Sequence, residues 1–348
     1  MGVTMSNDRA AGQSAAASPI ATMADLINAF RVTQLTRVVA MFSFADHLAD
    51  GPKTASEIAM AESIAADATF RILRLCASHG LVTSEDGVRF SDTPMLATLR
   101  KNAPGSLRGL ALTMGGPTHW LPWGLLPEAV RTGKPQATVA LGTDTWSYLA
   151  AHPEELANVV EALDSTSAAV SSEAAEIIDT TGVSVAVDVG GATGSLVRAL
   201  LAANSHLRGI VFDLPKVEPH ACAEIERAGL KDRLSAVAGN FFESVPEGDL
   251  YLLRCILHDW DDESCIRILC NLRRAIRVDG RVFVLEAMIG EMGEPPAVPS
   301  MDVNMMVVVG GRERTRPEYE ALLNAADFRL VKSTALRVPV TILEAVAC

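Results

Sequence analysis

From Val183 onward the hydrophobic pattern of this chain changes to short apolar runs separated by helical stretches. That alternation constrains the fold more than any other feature. The runs "VSVAVDVG", "LRGIVFDL", "LSAVAG", "DLYLLRCIL" and "GRVFVLEAM" are short and rich in Val, Ile and Leu. Runs of that length suit strands buried on both faces. Strands that alternate with helices make a doubly wound parallel sheet. The last stretch, "FRLVKSTALRVPVTILEAVAC", reads as a terminal hairpin added to that sheet. The expected fold class is α/β.

The part before residue 181 reads as mostly helical. Residues 1–20 are rich in Ala, Ser and Gly and are expected to form a disordered tail. The tail lacks the basic and apolar regions of a secretory signal. Its start, "MGVTMS", matches the N-myristoylation pattern, which is short and common by chance. Residues 24–48 carry a helical pattern with a broad apolar face that includes Leu26, Ile27, Phe30, Leu35 and Val39. Thr54 and Glu57 form a capping box, and "AADATFRILRLCASHG" is a helix closed by Gly80. "LVTSEDGVRFSD" supplies two strands around an Asp86-Gly87 turn. Helix, helix and β-ribbon in that order make a winged-helix module over residues 21–100. Residues 101–180 read as all-helical, and residues 181–348 hold the α/β sheet.

Charge decides how the winged helix is used. Residues 20–100 hold seven Lys/Arg against nine Asp/Glu, and the whole chain has a net charge of −12. A nucleic-acid reader needs a positive surface for phosphates. The module is therefore expected to be a packing or dimerisation element, without nucleic-acid or membrane partners. No run approaches the roughly 18 apolar residues of a membrane span. The six cysteines fit no Cys-x-x-Cys pattern, and several sit on apolar faces, which suggests buried free thiols in a cytoplasmic protein.

The stretch "VAVDVGGATGSLVRALL" is a strand, a glycine-rich turn and a helix. Gly190, Gly191 and Gly194 allow a tight turn and close approach of a ligand. Asp213, at the end of the next strand, stands where an acid binds ribose hydroxyls in nucleotide folds. The turn lacks the Gly-x-Gly-x-x-Gly spacing of NAD enzymes. It resembles the Gly-x-Gly-x-Gly turn of S-adenosylmethionine enzymes, with Ala192 in place of the middle glycine.

A second strand, Tyr251 to Leu257, runs into "HDWDDE". Capping of the following helix explains Asp261 and Asp262. It does not explain His258.

The blocks "VDVGGATG", "FDLPKV", "GNFFESVP", "LHDWDDE", "VLEAMI" and "GGRERT" occur in one order and spacing. From Leu26 to its end the chain resembles the small-molecule O-methyltransferases of the caffeate and bacterial polyketide-tailoring type. The resemblance implies a winged-helix dimerisation domain, a Rossmann-type methyltransferase sheet, S-adenosylmethionine as donor and no metal. It places Gly190 against the methionine part of the donor, Asp213 on the ribose, and Asn240 and Phe241 at the adenine. Asn240 stands where the family usually has Asp. Arg254 falls where the family often has a cationic donor ligand. His258 becomes the general base, flanked by Glu286 and Glu313. A free phenol has a pKa of about 10 and needs help losing its proton at neutral pH.

The acceptor pocket is expected among residues 155–170, the loop near His119–Trp123, and "MDVNMMVVVGG". Met301, Met305 and Met306 would be apolar fillers. Asn304, Met305 and Asp259 are the candidate substrate contacts, for a flat hydroxylated aromatic or polyketide-like molecule. Some relatives bind the methyl donor yet hydroxylate, decarboxylate or cyclise. The His258, Glu286 and Glu313 set favours methyl transfer over that alternative and over a nicotinamide dehydrogenase.

Overall fold

The computed structural model describes residues 18–348. The myristoylation pattern and most of the expected tail lie outside the described residues. The first helix, α1 (Pro19–Asn28), starts two residues inside that tail. Ser18 caps it and Pro19 occupies its first turn, the two residue types suited to those positions.

The expected single helix over residues 24–48 is broken. α1 gives way to α2 (Phe30–Met41) and α3 (Phe44–Ala49), with Ser43 in the left-handed region at φ +50°. The break turns the chain so that Leu35, Val39, Phe44 and Leu48 all enter one core. α4 (Ala55–Glu62) carries the expected capping box, and α5 (Ala66–Ser78) ends at Gly80 with φ +73°. There the N–H groups of Gly80 and Leu81 close on Ala77 O and Cys76 O. Strands β1 (Lys53–Thr54), β2 (Val82–Thr83) and β3 (Arg89–Asp92) form an antiparallel sheet in the order β1-β3-β2. This is the winged-helix arrangement.

The second sheet holds β4 (Val185–Val189), β5 (Arg208–Asp213), β6 (Leu234–Ala238), β7 (Gly248–Arg254), β8 (Ile276–Glu286), β9 (Phe328–Ala335) and β10 (Thr341–Ala347). Their order is β6-β5-β4-β7-β8-β10-β9. The first five are parallel, and the β9–β10 hairpin adds antiparallel to β8, as the sequence suggests. Alternate residues of β7 enter opposite layers. Tyr251 and Leu253 join one apolar cluster, while Leu250 and Leu252 join the other. Burial on both faces is why the central strands β4 and β7 read as continuous apolar runs, while the edge strand β6 is mostly exposed.

A helix of 25 residues, Pro153–Ile177, links the two parts. Its second half packs Val170 and Ala174 into the sheet cluster. All six cysteines are free, and only Cys76 and Cys265 are fully buried. No described helix is long and apolar enough to cross a membrane.

Candidate active site

The sheet reverses its winding between β4 and β7, and ligands of such sheets bind at the carboxyl ends beside that point. Gly190 follows β4 and Cys255 follows β7, while Asp213 ends β5 and Glu286 ends β8. The topology thus brings together residues spread over almost a hundred positions.

On the β4–β5 side the turn is tight. Gly190 has φ +67°, and a Cβ there would lie 2.4 Å from Ile256 Cδ1. Gly194 has φ +74°, with Val211 Cγ2 at 2.4 Å from a Cβ. Ala192 adopts φ +50°, a conformation that costs a non-glycine residue about 1–2 kcal/mol. Two contacts offset that strain. Its N–H donates to Asp213 Oδ2 at 2.8 Å, and its methyl packs on the cluster of Leu149, Leu156, Val160 and Val217.

Asp213 also accepts from Leu214 N at 2.7 Å. Each of its oxygens keeps a free lone pair for an incoming hydroxyl. Burial raises its pKa above the usual carboxylate value. Asp188, not singled out by the sequence because it sits inside an apolar strand, accepts from Val197 N at 3.3 Å. Burial pushes its pKa up to about 7.

Asn240 caps a turn. Its Oδ1 accepts from Phe242 N at 3.0 Å and its Nδ2 donates to Glu243 Oε1 at 3.3 Å. Phe241 meets Phe242 edge to face at 4.9 Å between ring centroids. Arg254 ends β7 with its Nε buried and without a hydrogen-bond partner, and no carboxylate of the described residues pairs with it. A half-buried guanidinium without a carboxylate partner near a glycine-rich turn suits an anionic group such as the carboxylate of an amino-acid ligand.

On the β7–β8 side the expected strand to Leu257 stops at Arg254. Cys255 turns to φ +53°, and Ile256 N and Leu257 N donate to Glu286 Oε1 at 3.0 and 2.9 Å. A buried carboxylate replaces the ladder there. Leu257–Asp259 then forms one 3-10 turn.

His258 is buried, with Nδ1 2.8 Å from Glu313 Oε1. A carboxylate only accepts, so Nδ1 carries a hydrogen in either protonation state and Nε2 is the atom that gains or loses the second proton. Glu286 Oε2 lies 3.7 Å from Nδ1, and Asp259 Oδ1 lies 3.6 Å from Nε2. Burial disfavours the imidazolium, but Glu286, Asp259 and the Glu313 hydrogen bond outweigh it. They hold the pKa of His258 well above its usual value. Burial pushes Glu286 up to about 7 and Asp259 up to about 6. Glu313 does not cap the helix Arg316–Ala325, because Thr315 and Glu318 form that capping box.

Asp261 is the N-cap of Asp262–Ala275, as expected. Asp262 has a different task. It receives Nε and Nη2 of Arg314 at 3.0 and 2.8 Å. Arg314 is fully buried and also donates to Leu257 O at 2.8 Å and Trp260 O at 2.7 Å. The guanidinium thus clamps both ends of the turn that carries His258. In sequence it looked like one more charge in "GGRERT".

Cys255, His258 and Glu286 place donor atoms within 4.8 Å of one another. Two of those groups are already committed: Nδ1 of His258 to Glu313, and one oxygen of Glu286 to backbone N–H groups.

The stretch His119–Trp123, expected as a loop, lies in a helix, Pro117–Trp123, with Pro122 accommodated inside it. Trp123 Nε1 donates to Asn304 Oδ1 at 2.8 Å, tying this helix to Ala297–Val308. Asn304 thus orients Trp123, and only its Nδ2 remains for another partner, with Met301 Sδ 3.9 Å away. Met305 is buried and Met301 more exposed. Burial lowers His119 to a pKa of about 4, so it stays neutral at ordinary pH. Trp260 packs, stacking on Trp146 with 6.1 Å between centroids.

With this geometry in place, comparison with known proteins decides the family. Residues 123–329 match the O-methyltransferase domain, and residues 24–102 match the O-methyltransferase dimerisation domain. The chain belongs to the O-methyltransferase family. It is 34% identical to the phenazine O-methyltransferase of Lysobacter antibioticus, over 95% of this chain and 97% of that one. The solved mitomycin 7-O-methyltransferase superposes with a TM-score of 0.88 at 32% identity, covering 94% of this chain and 98% of the other. An O-methyltransferase of neocarzinostatin biosynthesis, solved with S-adenosylmethionine and 2-hydroxy-5-methyl naphthoic acid, gives 0.82 at 31% identity. It covers 96% of this chain and 100% of its own. This O-methyltransferase is an enzyme, its relatives act on aromatic natural products, and none of these comparisons supports the dehydrogenase or non-methylating readings.

Proposed function

We propose that this O-methyltransferase takes its methyl group from S-adenosylmethionine and passes it to a hydroxyl of a flat aromatic or polyketide-like molecule, with His258 as general base. The observation that carries the reading is the pairing of His258 Nδ1 with Glu313, just beyond the carboxyl end of β7, which leaves Nε2 as the atom that can take a proton. S-adenosylmethionine, when bound, supplies an electrophilic methyl on sulfur. Gly190 leaves room beside it, Asp213 accepts from the ribose hydroxyls, and Arg254 pairs with the carboxylate. Asn240 and Phe241 flank the adenine. His258 Nε2 removes the acceptor proton as the oxygen attacks, which keeps the nucleophile from carrying a positive charge. Glu313 and Glu286 hold the ring and stabilise the imidazolium that forms.

The acceptor would lie between Asp259 and the Asn304–Met305 helix, and the aromatic acid bound to the neocarzinostatin relative supports the class of acceptor. Incubation with the donor and a panel of phenols, read by mass spectrometry, tests the activity. Gain of one methylene unit by a phenol is expected. Calorimetric binding of NAD without binding of the donor would refute the cofactor assignment.

The division into residues 21–100, 101–180 and 181–348 is part of the same reading, and so is a homodimer. α1 has no buried residue, and Ile20, Met23, Leu26 and Ile27 are 84%, 56%, 66% and 66% exposed. An apolar helix face so open requires cover, and the dimerisation-domain match supports a second copy as that cover. Light scattering at low micromolar concentration should give twice the chain mass.

A further inference from the structure

Three carboxylates crowd one imidazole in this site. Glu313 approaches Nδ1 at 2.8 Å, Glu286 stands 3.7 Å from the same atom, and Asp259 stands 3.6 Å from Nε2. Among the described residues no Lys or Arg pairs with any of the three. Arg314 is spent on Asp262, and Arg312 reaches Asp262 and Glu318. One oxygen each of Glu286 and Glu313 is buried without a hydrogen-bond partner. The pocket is therefore short of positive charge, and a buried acidic cluster holds cations strongly.

We propose that the proton of His258 and the sulfonium charge of the methyl donor occupy this acidic pocket in exchange, so that donor binding expels the proton and readies the base. The proposal rests on the donor assignment above. Before binding, the imidazolium balances the carboxylates. When the sulfonium enters, two cations would share one pocket, and the labile one, the proton, leaves to solvent. Neutral His258 then takes the acceptor proton while the methyl group moves from sulfur to oxygen. Sulfur keeps the electron pair of the broken bond and becomes a neutral thioether, and the positive charge reappears on His258. The charge within the pocket is thus the same before and after transfer. S-adenosylhomocysteine, having no sulfonium, does not compete with the proton.

Other titratable groups face the same region. Cys255 sits on the strand end and Cys265 on Asp262–Ala275. Tyr319 lies on Arg316–Ala325, and Asp302, which accepts from Glu313 N, lies on Ala297–Val308. Arg254 and Asp188 lie on the donor side. Donor and product carry the same amine and carboxylate and meet Asp188 and Arg254 alike, so the ratio of their affinities isolates the sulfonium.

The test is calorimetric titration of the full chain with S-adenosylmethionine and with S-adenosylhomocysteine from pH 6 to 9, each in buffers of differing ionisation enthalpy. His258 titrates above its usual value, so its proton is present at neutral pH and is lost as pH rises through the shifted value. The affinity ratio should favour the donor increasingly with pH, by up to about tenfold per pH unit. Proton release should accompany the donor and not the product. In His258→Asn the ratio should keep only the shallower slope that ionisation of Glu286 and Asp259 leaves. Asp259→Asn, which removes one carboxylate and keeps the imidazole, should weaken the donor relative to the product at pH 9. Parallel pH profiles for the two ligands, or a wild-type slope in His258→Asn, overturn the exchange even if methyl transfer is observed. Failure of both ligands to bind overturns the exchange together with the donor assignment beneath it.

Discussion

Asp213 and His258 both stand at the carboxyl end of one sheet, and they are held there in different ways. Asp213 bonds to the N–H of its neighbour Leu214 and to the turn at Ala192. Asn240 bonds to Phe242, two residues on, and Asp188 to Val197, nine residues on. On the donor side, side chains are anchored mainly to backbone N–H groups, none more than 21 positions away. His258 instead depends on Glu313, 55 positions away, and the turn that carries it depends on Arg314. On the base side, side chains are anchored to other side chains and to distant segments. A site held by local backbone loses affinity piece by piece when one residue changes. A site held by a few distant partners loses alignment, and alignment governs rate.

The largest effect tests that contrast at its centre. On the mechanism proposed above, His258→Ala should lower kcat by roughly 10²- to 10⁴-fold. Donor affinity at pH 9 should barely change. Raising the pH should partly restore turnover, because solvent then supplies the phenolate. Glu286→Gln should cost less, since an amide oxygen can still accept from Ile256 and Leu257. Kinetics from pH 6 to 10 separate a base from a residue that merely shapes the pocket, whose loss would appear in KM and ignore pH.

The next largest effect sharpens the claim about distance. Arg314→Lys keeps the charge and loses the fork that reaches Leu257 O and Trp260 O. Displacing the histidine turn should lower kcat roughly 10- to 100-fold with little change in donor affinity. If kcat, donor affinity and Tm all fall together, Arg314 serves general stability and the contrast fails on that side.

The same difference explains what could be read from the sequence. The glycine-rich turn, Asp213 and the β-strands announce themselves through short spacings and apolar runs. Glu313 could be placed beside His258 only by family likeness, because nothing local in "GGRERT" points to a residue 55 positions back. Arg314 escaped notice because a buried arginine and a surface arginine look alike until the partners are known. Ser43 broke the first helix without a glycine or proline to signal it. The strand end at Arg254 was set by the Glu286 carboxylate, a contact between strands that no window of sequence contains.

Asp213→Ala probes the donor side at middle strength. It removes the proposed ribose acceptor and frees Ala192 N, so the KM for the donor should rise about tenfold, in line with a lost hydrogen bond to a charged group. The kcat at saturating donor should stay within a few-fold. A large fall in kcat would mean that the two halves of the crevice are coupled more tightly than their bonding suggests.

The smallest effect concerns Asn240, where the family usually carries a carboxylate. A charged acceptor makes a hydrogen bond roughly twice as strong as a neutral one, worth about 1 kcal/mol more, or about fivefold in affinity. Yet Asn240 also donates through Nδ2 to Glu243 Oε1 at 3.3 Å. Asp at this position loses that bond and sets two carboxylates face to face, at a cost of about 1 kcal/mol in water at such distances. In the free protein the new carboxylate turns away to relieve this cost, and facing the adenine restores it, so Asn240→Asp alone should change donor affinity less than twofold. Adding Glu243→Gln removes the repulsion and restores a donor to the pair. The double variant should then bind S-adenosylmethionine about three- to fivefold more tightly than the wild type. Calorimetry on the two single variants and the double variant closes the cycle. If Asn240→Asp alone binds several-fold tighter, Glu243 does not restrain the position, and local anchoring of the donor side is weaker than its hydrogen bonds suggest.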